Sequence, residues 1–547
     1  MKALNLHNEG FFAALIYMNV ADLNFGDLLD GIAAVIPERI AIVCGDKQWN
    51  WHEFDSRANR LARQLLAGGL TTGSKVAFYL RNSPAYLELF SACSKARLTH
   101  VNVNYRYVDH ELAYLFDNSD AEAIVYGEEF ASHIAHLKPN LDKVKLFIQV
   151  GNGNIQNGAL RFETLCAEGD ASPLGIKRSG SDLYFMYTGG TTGYPKGVMW
   201  QHKDRIAVIG MSESTDALSH AQAVKDNPDI PVSLPACPLM HSTGFTTAVT
   251  TLMRGGTLVL LPSANFDARE CLQQIDANHV QRLAIVGDAF SVPILNYLRE
   301  QGHAHRLTSV GLISSAGAMW SEPCKRELLE YFPNALLADS LGSSEGSNLG
   351  ASIMKKGDQV KTARFQIGPL VKVFTEDFRE VEPGSGEAGM IAKAGPLPLG
   401  YYKDEERTAK TFPTVNGVRY SLAGDWCQVE LDGTMTLLGR GNNCINSGGE
   451  KIYPEEVEEI LKELPEIEDV AILGMPDPRW GQKVCALVRT SDNCEISSEV
   501  ISEKISGKLA SYKHPRHYVL ATETFRHDNG KINYRLARQM LEAVLSE

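Results

Sequence analysis

The chain has 547 residues, more than one hydrophobic core can organise, so two or more domains are expected. Its 44% hydrophobic and 22% charged content is that of a folded globular protein and excludes extensive disorder. A formal net charge of −13 disfavours nucleic acid as a partner, which calls for a basic footprint, and says nothing against small substrates, whose sites are local.

In chain order, the first feature is the apolar run GFFAALIYM (10–18). Only Lys2 precedes it, Glu9 adjoins it and no small-x-small cleavage site follows, so it reads as a packed N-terminal extension. A shallow peripheral membrane contact is the alternative. Apolar stretches elsewhere break well before the ~18 residues a spanning helix needs, so no integral membrane segment is expected. The ten cysteines include no CxxC pair, which argues against a zinc site or a disulfide framework and for a reducing, cytoplasmic setting.

Residues 20–180 alternate short β-branched runs with helical patterns. IAIVCG (40–45), KVAFYL (75–80), AEAIVYG (121–127) and KLFIQVG (145–151) read as buried strands. FDSRANRLARQLLAGG (54–69) places Phe54, Ala58, Leu61, Leu65 and Leu66 on one helical face and ends in glycines. Strand–helix–strand alternation implies a parallel α/β sheet. GNGNIQNG (151–158) reads as a loop between blocks, and residues 181–335 read as a second α/β unit with strands TLVLLP, RLAIVG and SVGLISSAG. Shorter strands with turns, GEAGMIAKAG and GTMTLLG, suggest a β-rich subdomain over about 360–440. Beyond GRGNN (439–443) comes a small α+β unit, with an amphipathic helix YPEEVEEILKEL (453–464), strands DVAILG and KVCALVR, and a last helix ending near Lys513. The fold class is therefore α/β: a large body (1–440) of two α/β sheets plus a β-rich part, and a small, mobile α+β C-terminal domain (441–547).

YTGGTTGYPKG (187–197) follows an apolar strand with glycines, hydroxyls and one lysine, the composition of an anion nest. It fails the Walker spacing, because five residues on from Gly189 or Gly190 stands Tyr194 or Pro195, and Gly197 follows Lys196. From composition alone, phosphate binding and a flexible surface hairpin both stay open. GSGEAG (384–389) satisfies GxGxxG but leads into a strand rather than a helix, so it reads as a loop.

The whole string YTGGTTGYPKG resembles the signature of adenylate-forming enzymes, which include acyl-CoA synthetases, luciferases and peptide-synthetase adenylation domains. Further segments resembling that family's motifs follow in order: PACPLMHSTG (235–244), SSAGAM (314–319), DSLGSSEG (339–346), GEAGMIAKAGPLPLGYY (386–402), YSLAGDW (420–426), LGRGNNCINSGGEKIYPEEVE (438–458) and DNGKINYRLA (528–537). The wording NVNYRYVDHELAYLFDNSDA, GVMW and INSGGEKIYPEEVE is most similar to acyl-CoA synthetases of fatty acid and steroid side-chain catabolism.

That resemblance implies two half-reactions: a carboxylate attacks the α-phosphate of ATP, giving acyl-adenylate and pyrophosphate, and the thiol of coenzyme A then displaces AMP. Catalysis would be positioning and electrostatics. Thr188, Gly189, Gly190, Thr191, Thr192 and Lys196 would hold the outgoing phosphates. Glu345 would ligate Mg²⁺, and Ser344 would orient an α-phosphate oxygen. Gly317, Ala318, Ser340 and Leu341 would border adenine, Asp425 would accept the ribose hydroxyls, and Arg440 would approach ribose or phosphate. His241, Phe245, Ala316 and Gly317 would line the acyl pocket, where Asp288 is a charge without an evident role. Gly448 and Gly449 would allow pantetheine close, and Asn442 would mark the hinge. Lys531, at an Asn-Gly turn, would neutralise the substrate carboxylate and α-phosphate during adenylation.

Three letters depart from the family pattern: Gly189 for a serine, Leu341 for a stacking aromatic, and Asn442 for Asp or Lys. The second forfeits some of the ~1–3 kcal/mol that base stacking contributes elsewhere. The implied partners are a carboxylic acid, ATP and coenzyme A, with a homo-oligomer left open. The alternatives are an acyl-AMP ligase that loads a carrier protein and an inactive acyl- or nucleotide-binding homologue.

Overall fold

The structure is a computed structural model that describes residues 22–190, 193–210, 215–301, 307–358, 364–440, 445–447, 450–477, 481–491, 496–506, 508–509, 511–527 and 530–545. Five sequence readings therefore lie outside the described residues, wholly or in part: the run 10–18, the tip Thr191–Thr192, the junction around Asn442, the pair Gly448–Gly449, and Asp528–Asn529 of the Asn-Gly turn before Lys531. Of Arg440 only the backbone is described.

Among the described residues the strands form sheets of thirteen, eight, two and five. The eight-stranded sheet runs Gly400–Tyr401, Gly193–Gln201, Leu183–Gly190, Thr99–Asn102, Lys75–Tyr79, Ala121–Gly127, Leu146–Val150, Leu160–Arg161, and is parallel from Leu183–Gly190 onward. The thirteen-stranded sheet has a parallel half built on Ile40–Cys44, Thr257–Leu260, Val232–Pro235, Arg282–Ile285, Leu312–Ala316 and Leu336–Ser343. It then turns antiparallel at Ser347–Met354 and continues through the strands of the 360–440 region. The β-rich region is thus joined to the second α/β sheet by backbone hydrogen bonds.

The blocks expected from sequence order are interleaved in space. Strand Ile40–Cys44 pairs antiparallel with the short strand Lys47–Asn50 that follows it and parallel with Thr257–Leu260, not with Lys75–Tyr79, and the hairpin of residues 183–201 joins the sheet of residues 75–161. Hydrophobic runs mark strands but carry no pairing partner, so parallel crossovers are invisible to periodicity.

Helices Phe25–Val35, Trp51–Ala67 and Pro84–Lys95 share a core cluster with both sheets. Helix Trp51–Ala67 starts with a capping box, in which Glu53 N–H donates to Asn50 Oδ1 at 2.7 Å and Asn50 N–H to Glu53 Oε2 at 3.0 Å. It buries Phe54, Ala58, Leu61 and Leu65, the stripe expected from spacing. The small C-terminal unit wraps its five-stranded sheet with helices Pro454–Lys462, Ser498–Ile505 and Tyr534–Leu545. The last helix is therefore not the one expected near Lys513. Residues 511–513 are a short 3₁₀ turn, and the chain continues through strand His517–Leu520 to Tyr534–Leu545. No helix among the described residues is long and apolar enough to cross a membrane.

Candidate functional site

Strands Leu183–Gly190 and Gly193–Gln201 form an antiparallel hairpin, with Thr188 opposite Lys196 and Gly190 opposite Gly193. Its base is tied down by Asn102, a buried amide that sequence reading passed over. The Asn102 Nδ2 group donates to the Tyr187 carbonyl at 3.0 Å and the Met240 carbonyl at 2.8 Å, while Tyr187 N–H donates to Asn102 Oδ1. One side chain thus fixes the phosphate hairpin relative to the His241 segment. Asn102 opens the NVNYRY string, where nothing local distinguishes it from Asn104.

Strand Gly400–Tyr401 pairs with the outer hairpin strand, setting Tyr401 opposite Val198. The Lys196 ammonium lies 5.5 Å from the Tyr401 ring centroid, and the Tyr401 hydroxyl donates to Glu345 Oε1 at 2.8 Å. Trp200, at the end of the same hairpin, donates its indole N–H to the Ser344 carbonyl at 2.9 Å, and Arg205 donates to Ser347 Oγ at 2.7 Å. Thr188, Lys196, Ser344 and Glu345, expected around the phosphates, are brought together by Tyr401 and Trp200. Those two aromatics sit inside the LGYY and GVMW strings, yet no role for them was legible there.

Half-buried Glu345 has one oxygen engaged by Tyr401. Among the described residues no three His, Cys, Asp or Glu side chains cluster as a ready-made metal cage. A single carboxylate completed by substrate and water oxygens suits Mg²⁺, which keeps much of its shell.

The opposite wall is built by the ends of parallel strands. Gly317 adopts φ +95, which a side-chain-bearing residue rarely tolerates, and follows strand Leu312–Ala316. Thr243 Oγ1 donates to the Ala316 carbonyl at 3.2 Å, and Gly287 N–H to Ser315 Oγ at 2.8 Å. The first bond holds the Ala316–Gly317–Ala318 turn against the helix that begins at Ser242, and the second ties the end of its strand to Gly287. Ser340 lies on the neighbouring strand, whereas Leu341 packs against the cluster containing Leu349, Phe365 and Met435. Asp425 is 7% exposed, directly follows Gly424 with φ +94, and stands opposite Arg440 in the sheet register.

Two expected pocket residues do other work. Phe245 is 1% exposed, with its ring 5.2 Å from that of His100 and 5.1 Å from that of Phe90, so it packs in the aromatic core. Asp288 accepts from Ser321 N–H at 2.9 Å and Ser321 O–H at 3.1 Å, and faces Lys462 of the C-terminal unit at 3.5 Å. Its charge belongs to the seam between body and C-terminal unit, because a carboxylate there is paired rather than offered to a ligand.

The C-terminal turn reaches into this site. A Cβ placed on Gly530 would stand 2.6 Å from Ala289 Cβ and 3.8 Å from Ala318 Cβ, so only glycine fits where that turn meets the body. Its φ of +80 also demands a residue without a side chain. Lys531 follows, and its charge reaches His241. Burial first, then the positive charges of Lys531 and Arg106, push the His241 imidazole down to about 3, so it is neutral at physiological pH. Lys531 and Arg106 are thus the two cations whose charges act on His241. Arg106, from the NVNYRY string, was not singled out by sequence.

Comparison with known proteins gives a consistent result. A family model described as AMP-binding enzyme matches residues 29–402, and one described as AMP-binding enzyme C-terminal domain matches residues 456–531. The chain is 39% identical over 533 residues to a medium/long-chain-fatty-acid–CoA/3-oxocholest-4-en-26-oate–CoA ligase of Mycobacterium tuberculosis, covering 95% of this chain and 96% of that one. It is 37% identical to a 3-oxocholest-4-en-26-oate–CoA ligase of Rhodococcus rhodochrous, with 94% and 95% covered. Its fold matches the anthranilate CoA ligase AuaEII in complex with anthranoyl-AMP, at a TM-score of 0.81 and 20% identity over 96% of this chain and 98% of that one. It also matches ATP-bound MatB from Rhodopseudomonas palustris, at a TM-score of 0.78 and 24% identity over 95% and 100%.

Proposed function

The chain belongs to the AMP-binding enzyme family, and from that premise we propose how its residues carry out an AMP-forming acid–CoA ligase reaction on a medium- or long-chain fatty acid or a steroid side-chain acid. In the first half-reaction a carboxylate oxygen attacks the α-phosphorus of ATP, the α–β bridging bond breaks, and pyrophosphate leaves. In the second the thiol sulfur of coenzyme A attacks the acyl carbon, AMP leaves, and the thiol proton is released. The observations that carry the residue assignments are the seat of Gly530, one residue before Lys531, against Ala289 and Ala318, the action of the Lys531 charge on neutral His241, and the Lys196–Tyr401–Glu345 contact.

Both attacking carboxylate and α-phosphate are anionic, so the step needs positive charge placed before substrate arrives. With His241 uncharged, Lys531 and Arg106 supply it on the acyl side. Lys196 and the hairpin's backbone N–H groups face the departing phosphates, aided by the hydroxyl of Thr188. Glu345 would hold Mg²⁺, which when bound offsets phosphate charge. Asp425 would take the ribose hydroxyls.

The body and C-terminal unit meet after strand Thr434–Arg440, and we take residues 1–440 and 441–547 as the functional division, with Asn442 at the hinge. The test is the full-length protein with ATP, Mg²⁺, coenzyme A and a panel of medium-chain, long-chain and steroid side-chain acids. Equimolar AMP and acyl-CoA, seen by mass spectrometry, are expected. Acid-dependent AMP release without any coenzyme A thioester would favour carrier-protein loading, and no acid-dependent turnover would leave an inactive homologue.

A further inference from the structure

The turn bearing Lys531 is gripped from behind. The Arg526 guanidinium donates from Nε to Asp469 Oδ2 at 2.6 Å and from Nη2 to Asp469 Oδ1 at 2.8 Å, a two-pronged pair that fixes its plane. Its remaining arm, Nη1, donates to the Gly530 carbonyl at 2.7 Å, one peptide bond from Lys531. The turn itself is closed by Gly530 N–H to the His527 carbonyl at 2.8 Å and His527 N–H to the Lys531 carbonyl at 2.9 Å.

The same carboxylate reaches the body. Lys462 stands 3.5 Å from Asp469 and 3.5 Å from Asp288, at the N-terminus of helix Asp288–Gln301. Ala289, the next residue of that helix, is the one the Gly530 backbone rests on. Two contacts therefore meet the body at adjacent residues: a charge link at Asp288 and a backbone seat at Ala289. Asp469 and the Lys462 side chain are nearly excluded from solvent, so the link is little screened by salt.

We propose that Arg526 is a positioning residue for Lys531, held in plane by Asp469 and registered to the body through Lys462 and Asp288. It touches no substrate; it fixes the Gly530 carbonyl, whose carbon is bonded to the Lys531 backbone nitrogen. The inference rests on the reading of Lys531 as the adenylation lysine and extends it to the residues that aim it. A sub-ångström error in such aim is costly when the reacting groups are pre-oriented.

The experiment measures the half-reactions separately in full-length Arg526→Ala, Arg526→Lys, Asp469→Asn and Lys531→Ala. Acyl-AMP formation is followed by single turnover, and thioester formation is started from supplied acyl-AMP. Arg526→Ala is expected to slow adenylation at saturating ATP and acid by about tenfold or more, with the ATP KM and the thioester step within about twofold. Asp469→Asn should follow it, and Arg526→Lys, which keeps the charge and the fold, should recover part of the loss. Equal loss in both half-reactions, tracking a lowered melting temperature, would reduce Arg526 to a structural residue and overturn the proposal. So would unchanged adenylation in Arg526→Ala and Arg526→Lys beside a defective Lys531→Ala. Intact adenylation in Lys531→Ala would instead remove the reading beneath it.

Discussion

The Tyr401 hydroxyl donates to Glu345 Oε1 at 2.8 Å while the ring of the same tyrosine faces the Lys196 ammonium at 5.5 Å. One side chain thus couples the phosphate hairpin to the proposed metal carboxylate, on a two-residue strand paired with that hairpin.

Tyr401→Phe keeps the ring under Lys196 and deletes only the bond to Glu345. A hydrogen bond to a charged group contributes about 1.5–3 kcal/mol, so acid-dependent pyrophosphate exchange should fall about tenfold or more. The Mg²⁺ concentration for half-maximal rate should rise with it. An unchanged Mg²⁺ titration would separate Tyr401 from Glu345 function.

Asn102→Leu leaves the Tyr187 N–H and carbonyl and the Met240 carbonyl without their buried partner. An orphaned buried polar group costs about 1–3 kcal/mol, so the body should unfold at clearly lower urea, and adenylation should fall because hairpin and His241 segment lose their common anchor. A wild-type midpoint would contradict this.

How much of this was legible in the sequence depends on the distance over which a residue acts. Strand Ala121–Gly127 and the helix read over 54–69 were legible because period is local, whereas its start at Trp51, on the Asn50–Glu53 cap, was not read. The parallel partner of Ile40–Cys44 was not, since pairing with Thr257–Leu260 spans more than two hundred residues and leaves no mark on either run. Site residues followed the same division. Lys196 and Glu345 carry charges that a motif string exposes, whereas Asn102 and Tyr401, though also inside quoted strings, and Arg526 act through contacts that exist only after folding. Phe245, near a motif histidine, and Asp288, at a strand end, also have contacts that local sequence does not show. Folding turned one into the aromatic core and gave the other to Lys462.

His202 is fully buried, and burial pushes its imidazole down to about 4. A base depressed in the native state is stabilising while neutral, so its contribution is lost as pH falls below the unfolded value near 6.5 and through the folded one. Between pH 7 and pH 5 this amounts to about 2 kcal/mol. Wild-type protein should therefore lose more stability over that interval than His202→Gln, read from urea midpoints. Parallel pH profiles would contradict the assignment.

Glu459 has the opposite sign. Burial, with Asp339 nearby and Lys325 partly offsetting both, pushes its carboxyl up to about 8. The docked helix Pro454–Lys462 therefore favours the protonated acid, and that contribution is lost as pH rises through 8. Hydrogen exchange of this helix, corrected for intrinsic rates, should increase between pH 7 and pH 9 in wild type and much less in Glu459→Gln. Equal increases would show that another group governs the seam.

The most direct measurement for the account as a whole is a comparison of the two half-reactions in Lys531→Ala. Acyl-adenylate formation from ATP and acid should be abolished, while coenzyme A should still be acylated from supplied acyl-adenylate at close to the wild-type rate. Equal loss of both steps, or persistence of the first, would contradict the placement of Lys531 beside His241 as the centre of adenylation.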